Sequence, residues 1–249
     1  MVPVRGPARR ALDEADIVYT EIAMDAATQQ SAMTRAVLPP GQQLGDLVPP
    51  TLYARLGGYL KRRGGSVEAL ANVKVWAVAA ALGQLAYADR FARGEPPLDL
   101  HLAREAERLG KRTGALETLD DQVAAMESQG LAGERAMLRD TLDQLEEAEQ
   151  AGRDPIEELM GAYLDGDTER LLRLAEEGTD PADAVSRALM RALIDDRNRG
   201  MAEAILSIRR ERPDEVQLFA VGALHLPGES GVVTLLRRAG LTVERVAPE

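Results

Sequence analysis

The stretch Glu215 to Val246, EVQLFAVGALHLPGESGVVTLLRRAGLTVERV, constrains the fold more than any other segment of this chain. Its first nine residues form a short apolar run rich in Val and Phe, which reads as a largely buried strand. GESGVVTLLRRAG follows, with Ser230 placed as an N-cap and Gly240 as a stop, so a helix is predicted between them. LTVERV then alternates apolar and polar residues like a second strand. A strand, loop, helix and strand in that order most simply form a parallel unit. The chain is therefore predicted to be α/β.

The N-terminus carries part of the same pattern. PARRALDEAD reads as a helix opened by Pro7, followed by the strand IVYTEIAM. RRALDEADIVYTE and TLLRRAGLTVERV both run from helix through a tight break into a strand, but nothing ahead of the first copy reads as an opening strand. Either the sequence begins in mid-unit or the likeness is accidental. Between the two ends the pattern is helical. LHLAREAERLGKRTGALETLDDQ predicts a helix, a turn at Gly110, a short strand and a new helix, with Thr118, Asp121 and Gln122 resembling a capping box. Residues 133–177 are charged and helix-favouring, with turns at Asp154 and Asp165, and a last long helix is expected from about Pro181 to about Arg212. Ala36 to Pro50 is the strongest loop signal. The expected fold is a helix-rich α/β domain spanning 1–249. Its mixed sheet core comes from the N- and C-terminal strand–helix units (about 7–30, 98–130 and 181–249), with helical insertions at about 45–95 and 131–180.

Composition narrows the function. Of 249 residues, 45% are hydrophobic and 29% charged, which suits a globular chain able to bury a core. A net charge of −11 with only 3% aromatic residues argues against nucleic acid as a partner. The absence of cysteine removes disulfides, thiolate metal sites and a cysteine nucleophile. The first 16 residues contain no apolar h-region, so the sequence as written shows no secretory signal and defaults to the cytoplasm. The most apolar window, Val73 to Ala88, is shorter than the ~20 residues of a membrane span and contains Lys74 and Gln84. It reads as a buried or groove-lining helix.

Few side chains offer chemistry. His225, one of two histidines, follows the apolar run and sits where α/β sheets gather ligands, with Gly222 and Gly228 allowing close backbone approach. It is either a ligand or a polar residue closing a strand. Glu21 stands in an apolar strand on the face of Tyr19 and Ala23, so it is either paired or metal-bound, or emerges into solvent at the strand end. Arg197 falls on the helical stripe formed by Met190, Leu193, Ile194, Met201, Ile205 and Ile208, and requires an anion such as Glu21, Glu117 or a ligand. Asn198 adjoins that stripe. Glu117 ends the short strand and otherwise simply favours the next helix's positive end. His101 reads as a surface or partly buried helix residue, and no Walker, G-x-S-x-G, H-E-x-x-H or dinucleotide motif is present.

Taken in order and spacing, VYTE, GALETLDDQ, RNRGMA and FAVGALHLPGESGVVTLLRRAGLTVERV resemble the TraB/PrgY/GumN family over roughly Ala11 to Val246. LDLHLAREAERLGK and AYLDGD fit the same pattern. The resemblance implies an α/β fold with inserted helices, akin to the haem-binding ChaN and erythromycin-esterase folds. In the family's animal Tiki branch it implies a metal-dependent peptidase using manganese or cobalt, two G-x-x-H histidines and a glutamate. Carried over, the second G-x-x-H is Gly222 to His225, the glutamate is Glu21, the RN pair is Arg197 and Asn198, and the LET glutamate is Glu117. Ahead of Pro7 the family pattern has a strand ending in a first G-x-x-H, which is not in this sequence. Three explanations are open: an upstream segment that also carries an export signal, a pseudoenzyme, or a metal completed by another subunit or water. The expected function is a metal-dependent hydrolase, most simply a peptidase. In it His225 and Glu21 bind the ion, and Arg197 orients Glu21 or stabilises an oxyanion. The alternative is a non-catalytic module that binds a peptide or haem-like ligand.

Overall fold

The computed structural model describes residues 6–85, 96–177 and 182–246. The chain divides into two compact units: residues 1–29, 88–122 and 194–249 form the first, and residues 30–87 and 123–193 the second.

The first unit is built on a sheet that, among the described residues, has three strands: β1 (Ile17–Thr20), β2 (Arg112–Ala115) and β3 (Gln217–Phe219), in the order β2-β1-β3. A mixed sheet is the expectation from sequence; both pairings are parallel, with Tyr19 opposite Gly114 on one side and Phe219 on the other. The α/β class holds. β1 is central and buried at all four positions. Its alternation sorts two cores, because successive side chains leave opposite faces of a strand. Ile17 and Tyr19 pack with Leu116, Met201, Ile205 and Val232, whereas Val18 packs with Leu12, Ala15, Leu102 and Ala106. Helices α1 (Gly6–Glu14) and α6 (Leu98–Arg108) thus cover one face. Helices α12 (Arg197–Glu211) and α13 (Val232–Arg238) cover the other.

Two local expectations fail at the C-terminus. LTVERV forms no strand: Arg237 donates to the Val243 carbonyl at 2.7 and 3.2 Å, occupying an acceptor that a strand ladder would need. Ser230 does not cap α13. Gly231 holds the N-cap position, and the Ser230 hydroxyl instead donates to Asp195 at 2.6 Å. Gly240, at φ +90°, does end the turn after α13. The expected box at the start of α7 (Leu119–Glu127) forms between Thr118 and Asp121, which bond reciprocally.

The second unit is helical. After α2 (Ala26–Arg35), the loop from Ala36 is pinned by an antiparallel bridge between Val37 and Val73 before α3 (Leu44–Leu47) and α4 (Pro50–Arg62). The apolar window becomes α5 (Val75–Gln84), which packs against α8 (Gly130–Gln150). The core joins Leu44, Leu56, Val75, Val78, Leu138 and Leu142, each without exposure. α5 is thus core, and no helix among the described residues is long and apolar enough to cross a membrane. The remaining helices are α9 (Pro155–Leu164), capped by Asp154 at the expected turn, α10 (Thr168–Glu177) and α11 (Ala184–Met190). The expected helix start at Pro181 lies outside the described residues. A π-helical turn, Arg191–Asp196, follows α11 and leads directly into α12.

Candidate functional site

The site forms at the carboxyl end of the sheet in the first unit. β1 stops at Thr20, whose hydroxyl turns back to the Ile22 carbonyl at 2.7 Å. Glu21 is therefore the first residue past the strand, not inside it. Its carbonyl accepts the Leu116 and Glu117 amides at 3.1 and 2.9 Å, which fastens the end of β2 beside it. Two carboxylates of remote sequence, Glu21 and Glu117, are thereby held together by backbone alone.

Arg197 bridges them. Its Nη2 donates to Glu21 Oε2 at 2.6 Å and to Glu117 Oε1 at 2.5 Å, and its Nε donates to both Glu117 oxygens at 3.1 Å. Gln122 closes the cluster by donating to Glu117 Oε1 at 2.8 Å and to Glu21 Oε2 at 3.2 Å. Burial pulls the Arg197 pKa down, but bonding to Glu117 and the charges of Glu117 and Glu21 outweigh it and leave it raised. Either glutamate satisfies the expectation from sequence; both pair with Arg197 at once. One guanidinium against two carboxylates leaves the cluster one negative charge in excess, in a setting where the three side chains are 9–15% exposed.

The other Glu21 oxygen faces β3's exit. Oε1 accepts the Gly222 amide at 2.6 Å, and a Cβ on Gly222 would stand 3.1 Å from that oxygen. The chain then makes one 3₁₀ turn, Ala223–His225, which brings the imidazole back over Glu21. His225 Nδ1 lies 2.7 Å from Asn198 Oδ1, and Nε2 lies 3.8 Å from Glu21 Oε1. With Oδ1 as the acceptor, Nδ1 carries the proton and the Nε2 lone pair faces the carboxylate. Burial pushes the His225 pKa below its usual 6.5, and Arg197 adds to that, against the raising effect of Glu21 and Glu117. Neutral imidazole is the form that accepts a metal. Gly228, at φ +84°, shapes the following loop, and its carbonyl accepts from Thr234.

A divalent ion can be tested against these donors. At 3.8 Å, His225 Nε2 and Glu21 Oε1 are too far apart to hydrogen-bond, yet closer than twice a ~2.1 Å metal–ligand bond. One ion could touch both. No third His, Asp or Glu joins them in a metal-binding group among the described residues. Catalytic ions usually take three protein ligands. The pair fits two positions of such a site and does not complete it.

The π-helical turn explains a shift from the expected stripe. An extra residue per turn rotates the following helix, and such turns often occur at functional sites. Asn198, expected beside the stripe, has no exposure at all, whereas Arg197 stands at its margin. The Asn198 side chain shows a second feature: its Nδ2 is buried without a partner among the described residues.

A family model described as the TraB/PrgY/gumN family matches residues 1–245. The chain belongs to that family. The protein named Metalloprotease TIKI1 from Danio rerio is 31% identical over 280 residues, covering 95% of this chain and 56% of that protein. Its namesake from Homo sapiens is 30% identical over 279 residues, covering 95% of this chain and 55% of that protein. Metalloprotease TIKI homolog from Nematostella vectensis is 24% identical over 285 residues, covering 97% and 60%. The chain spans about half the length of the curated relatives it matches. No solved structure matches it.

Within this TraB/PrgY/gumN chain, one site residue and one acid that feels its charge escape a reading of the sequence. Gln122 passes for part of a capping box, but its side chain reaches Glu21 and Glu117 instead. Asp99, in the first turn of α6, is half-buried, and its carboxyl is pushed up by burial and then by the charge of Glu21. Both lie inside segments that carry the family pattern, GALETLDDQ and LDLHLAREAERLGK, which is the signal that could have marked them. His101, two residues beyond Asp99, is 7% exposed among Leu102, Ala103 and Ala106, more deeply buried than its sequence suggests.

Proposed function

We propose that this chain carries the core of a metal-dependent hydrolase that acts on peptides. Relatives named metalloproteases, about 30% identical across nearly the whole chain, support that reaction class. The observation that carries the reading is His225 Nε2, held 3.8 Å from Glu21 Oε1 beside a cluster with excess negative charge. Such a place favours a cation. A divalent ion, manganese or cobalt by the family resemblance, would polarise a peptide carbonyl and make bound water nucleophilic at neutral pH.

The chain's own residues prepare the site. Asn198 fixes the ring and tautomer of His225 by accepting from Nδ1, as outer partners of metal-binding histidines do. The Gly222 amide and Arg197 hold the two oxygens of Glu21 from opposite sides. Arg197 already spends Nε and Nη2 on carboxylates, so it acts as a positioning residue for Glu21 rather than as an oxyanion donor. Glu117 and Gln122 keep it there.

The test is calorimetric titration of metal-depleted protein with manganese and cobalt, followed by a peptide-cleavage assay. One binding site is expected, lost in His225→Ala and weakened about 10–100-fold in Asn198→Ala. The incomplete donor set favours a second reading, capture of a peptide or haem-like ligand without turnover. Metal binding without cleavage would support it. No metal binding, with cleavage absent and unaffected by His225→Ala, ends the hydrolase reading for this chain.

A further inference from the structure

We propose that a pocket in the helical unit binds a small organic oxyanion: a phosphate or carboxylate group on a compact apolar body. The pocket has a volume of about 400 Å³ and lies between α4, α8 and the start of α11. That size is within the range of small-molecule sites, roughly 300–1,000 Å³. Leu52, Ala136 and Val185 give it an apolar floor, and Arg55, Arg135 and Arg139 line it with three guanidinium groups. Arg135 and Arg139 are four residues apart on α8, hence on one face, and Arg55 reaches the same space from α4.

The three arginines are not equivalent. Arg55 donates through Nε and Nη2 to Glu146, at 3.2 and 2.7 Å, and through Nη2 to Asp143 at 2.6 Å. Arg139 donates to Asp140 at 2.9 Å, and its Nη2 donates to Asp183 at 2.7 Å and Ser186 at 3.1 Å. Both are thereby fixed, each against two carboxylates, and Asp183 itself lines the pocket. Arg135 differs. Its Nε donates to the Leu47 carbonyl at 2.6 Å, and no carboxylate lies within ion-pair distance of it among the described residues. Half-buried Arg135, anchored by its inner nitrogen, therefore lines the pocket with no bond from either outer nitrogen among the described residues. Arg135 is thus the group in this pocket that can meet an anion, since no carboxylate among the described residues pairs with it. A guanidinium edge matches two oxygens of a carboxylate or a phosphate alike. The apolar floor adds room for a short hydrocarbon, which distinguishes the site from one for a bare ion.

The test is titration calorimetry at constant ionic strength with propyl phosphate and with butyrate, using butyramide as the uncharged control. Saturable binding of either anion, and none of butyramide, is expected; the stronger of the two identifies the source chemistry. Arg135→Ala should weaken that binding by at least about tenfold, since hydrogen bonds to charged groups contribute ~1.5–3 kcal/mol. Arg135→Lys should retain part of it, and Arg104→Ala on the other unit should change nothing. Because Arg135 also holds the Leu47 carbonyl, amide shifts of the unaltered protein give a second readout. Anion-induced shifts centred on Leu52, Ala136 and Val185 support the site. No saturable binding, shifts centred elsewhere, or equal affinity in a folded Arg135→Ala protein overturns it.

Discussion

The chemistry of His225 is set by what its other nitrogen touches. Asn198 has no exposure, and its Oδ1 occupies Nδ1. Nε2 is thereby left as the working atom, 3.8 Å from Glu21. Burial favours the neutral ring, so the folded pKa lies below the usual 6.5. A depressed histidine pKa means that the unfolded chain binds the proton first. The stability it brings is therefore fully present above about pH 6.5 and is lost as pH falls through the folded pKa. An NMR titration of metal-free protein should place the His225 midpoint below 6.5. Denaturation at neutral pH and at about pH 5 should show a smaller loss on acidification in His225→Gln than in the unaltered protein. A midpoint above 6.5 would contradict the burial argument. The carboxylates show the limit of residue-scale reading: Glu21 is legible as an acid that either needs a partner or meets solvent, with Arg197 as a candidate, but the Gly222 amide and Gln122 are not legible as its other partners.

At the scale of elements, β1 organises the site. It is the central strand, and where it stops decides where Glu21 and, through two backbone bonds, Glu117 stand. Its register rests on a tight contact across β2. The Tyr19 ring stacks on Phe219 with centroids 5.2 Å apart and lies over Gly114, where a Cβ would come 2.5 Å from the ring. That gap belongs to a ring packed from both sides, so little can yield. Gly114→Ala should cost ~1–3 kcal/mol, measured by urea denaturation, because overpacking forces the ring or the strand to move. A cost within ~0.5 kcal/mol would mean that the ring rotates freely aside. The π-helical turn before Arg197 is the other deciding element. Helical spacing predicts an inward-facing arginine; Arg197, its side chain 15% exposed, does turn in to Glu21 and Glu117, while Asn198 after the turn takes the fully buried position.

At the scale of the whole molecule, the two units draw their stability from separate cores. The helical unit buries Leu138 and Leu142 of α8 against α4 and α5, both without exposure. Leu142→Ala should cost that unit ~2–5 kcal/mol, the range for a buried leucine truncated to leave a cavity. Trp76, the chain's only tryptophan, belongs to the same unit at 7% exposure, so its fluorescence should follow the loss as an earlier denaturant midpoint. An unchanged midpoint would show that the site collapses around the smaller side chain. The sequence by itself determined the α/β class, the long helical middle, the Thr118 box, the turn at Asp154 and the Gly240 stop. Each of these depends on spacing within a few residues, and local backbone chemistry decides it. Only the tertiary structure decided that LTVERV forms no strand, that Gln122 joins the site, and that Arg197 grips both glutamates. Those outcomes depend on which groups meet across the sheet: Glu21 and Arg197 are 176 positions apart, and no periodicity reaches that far.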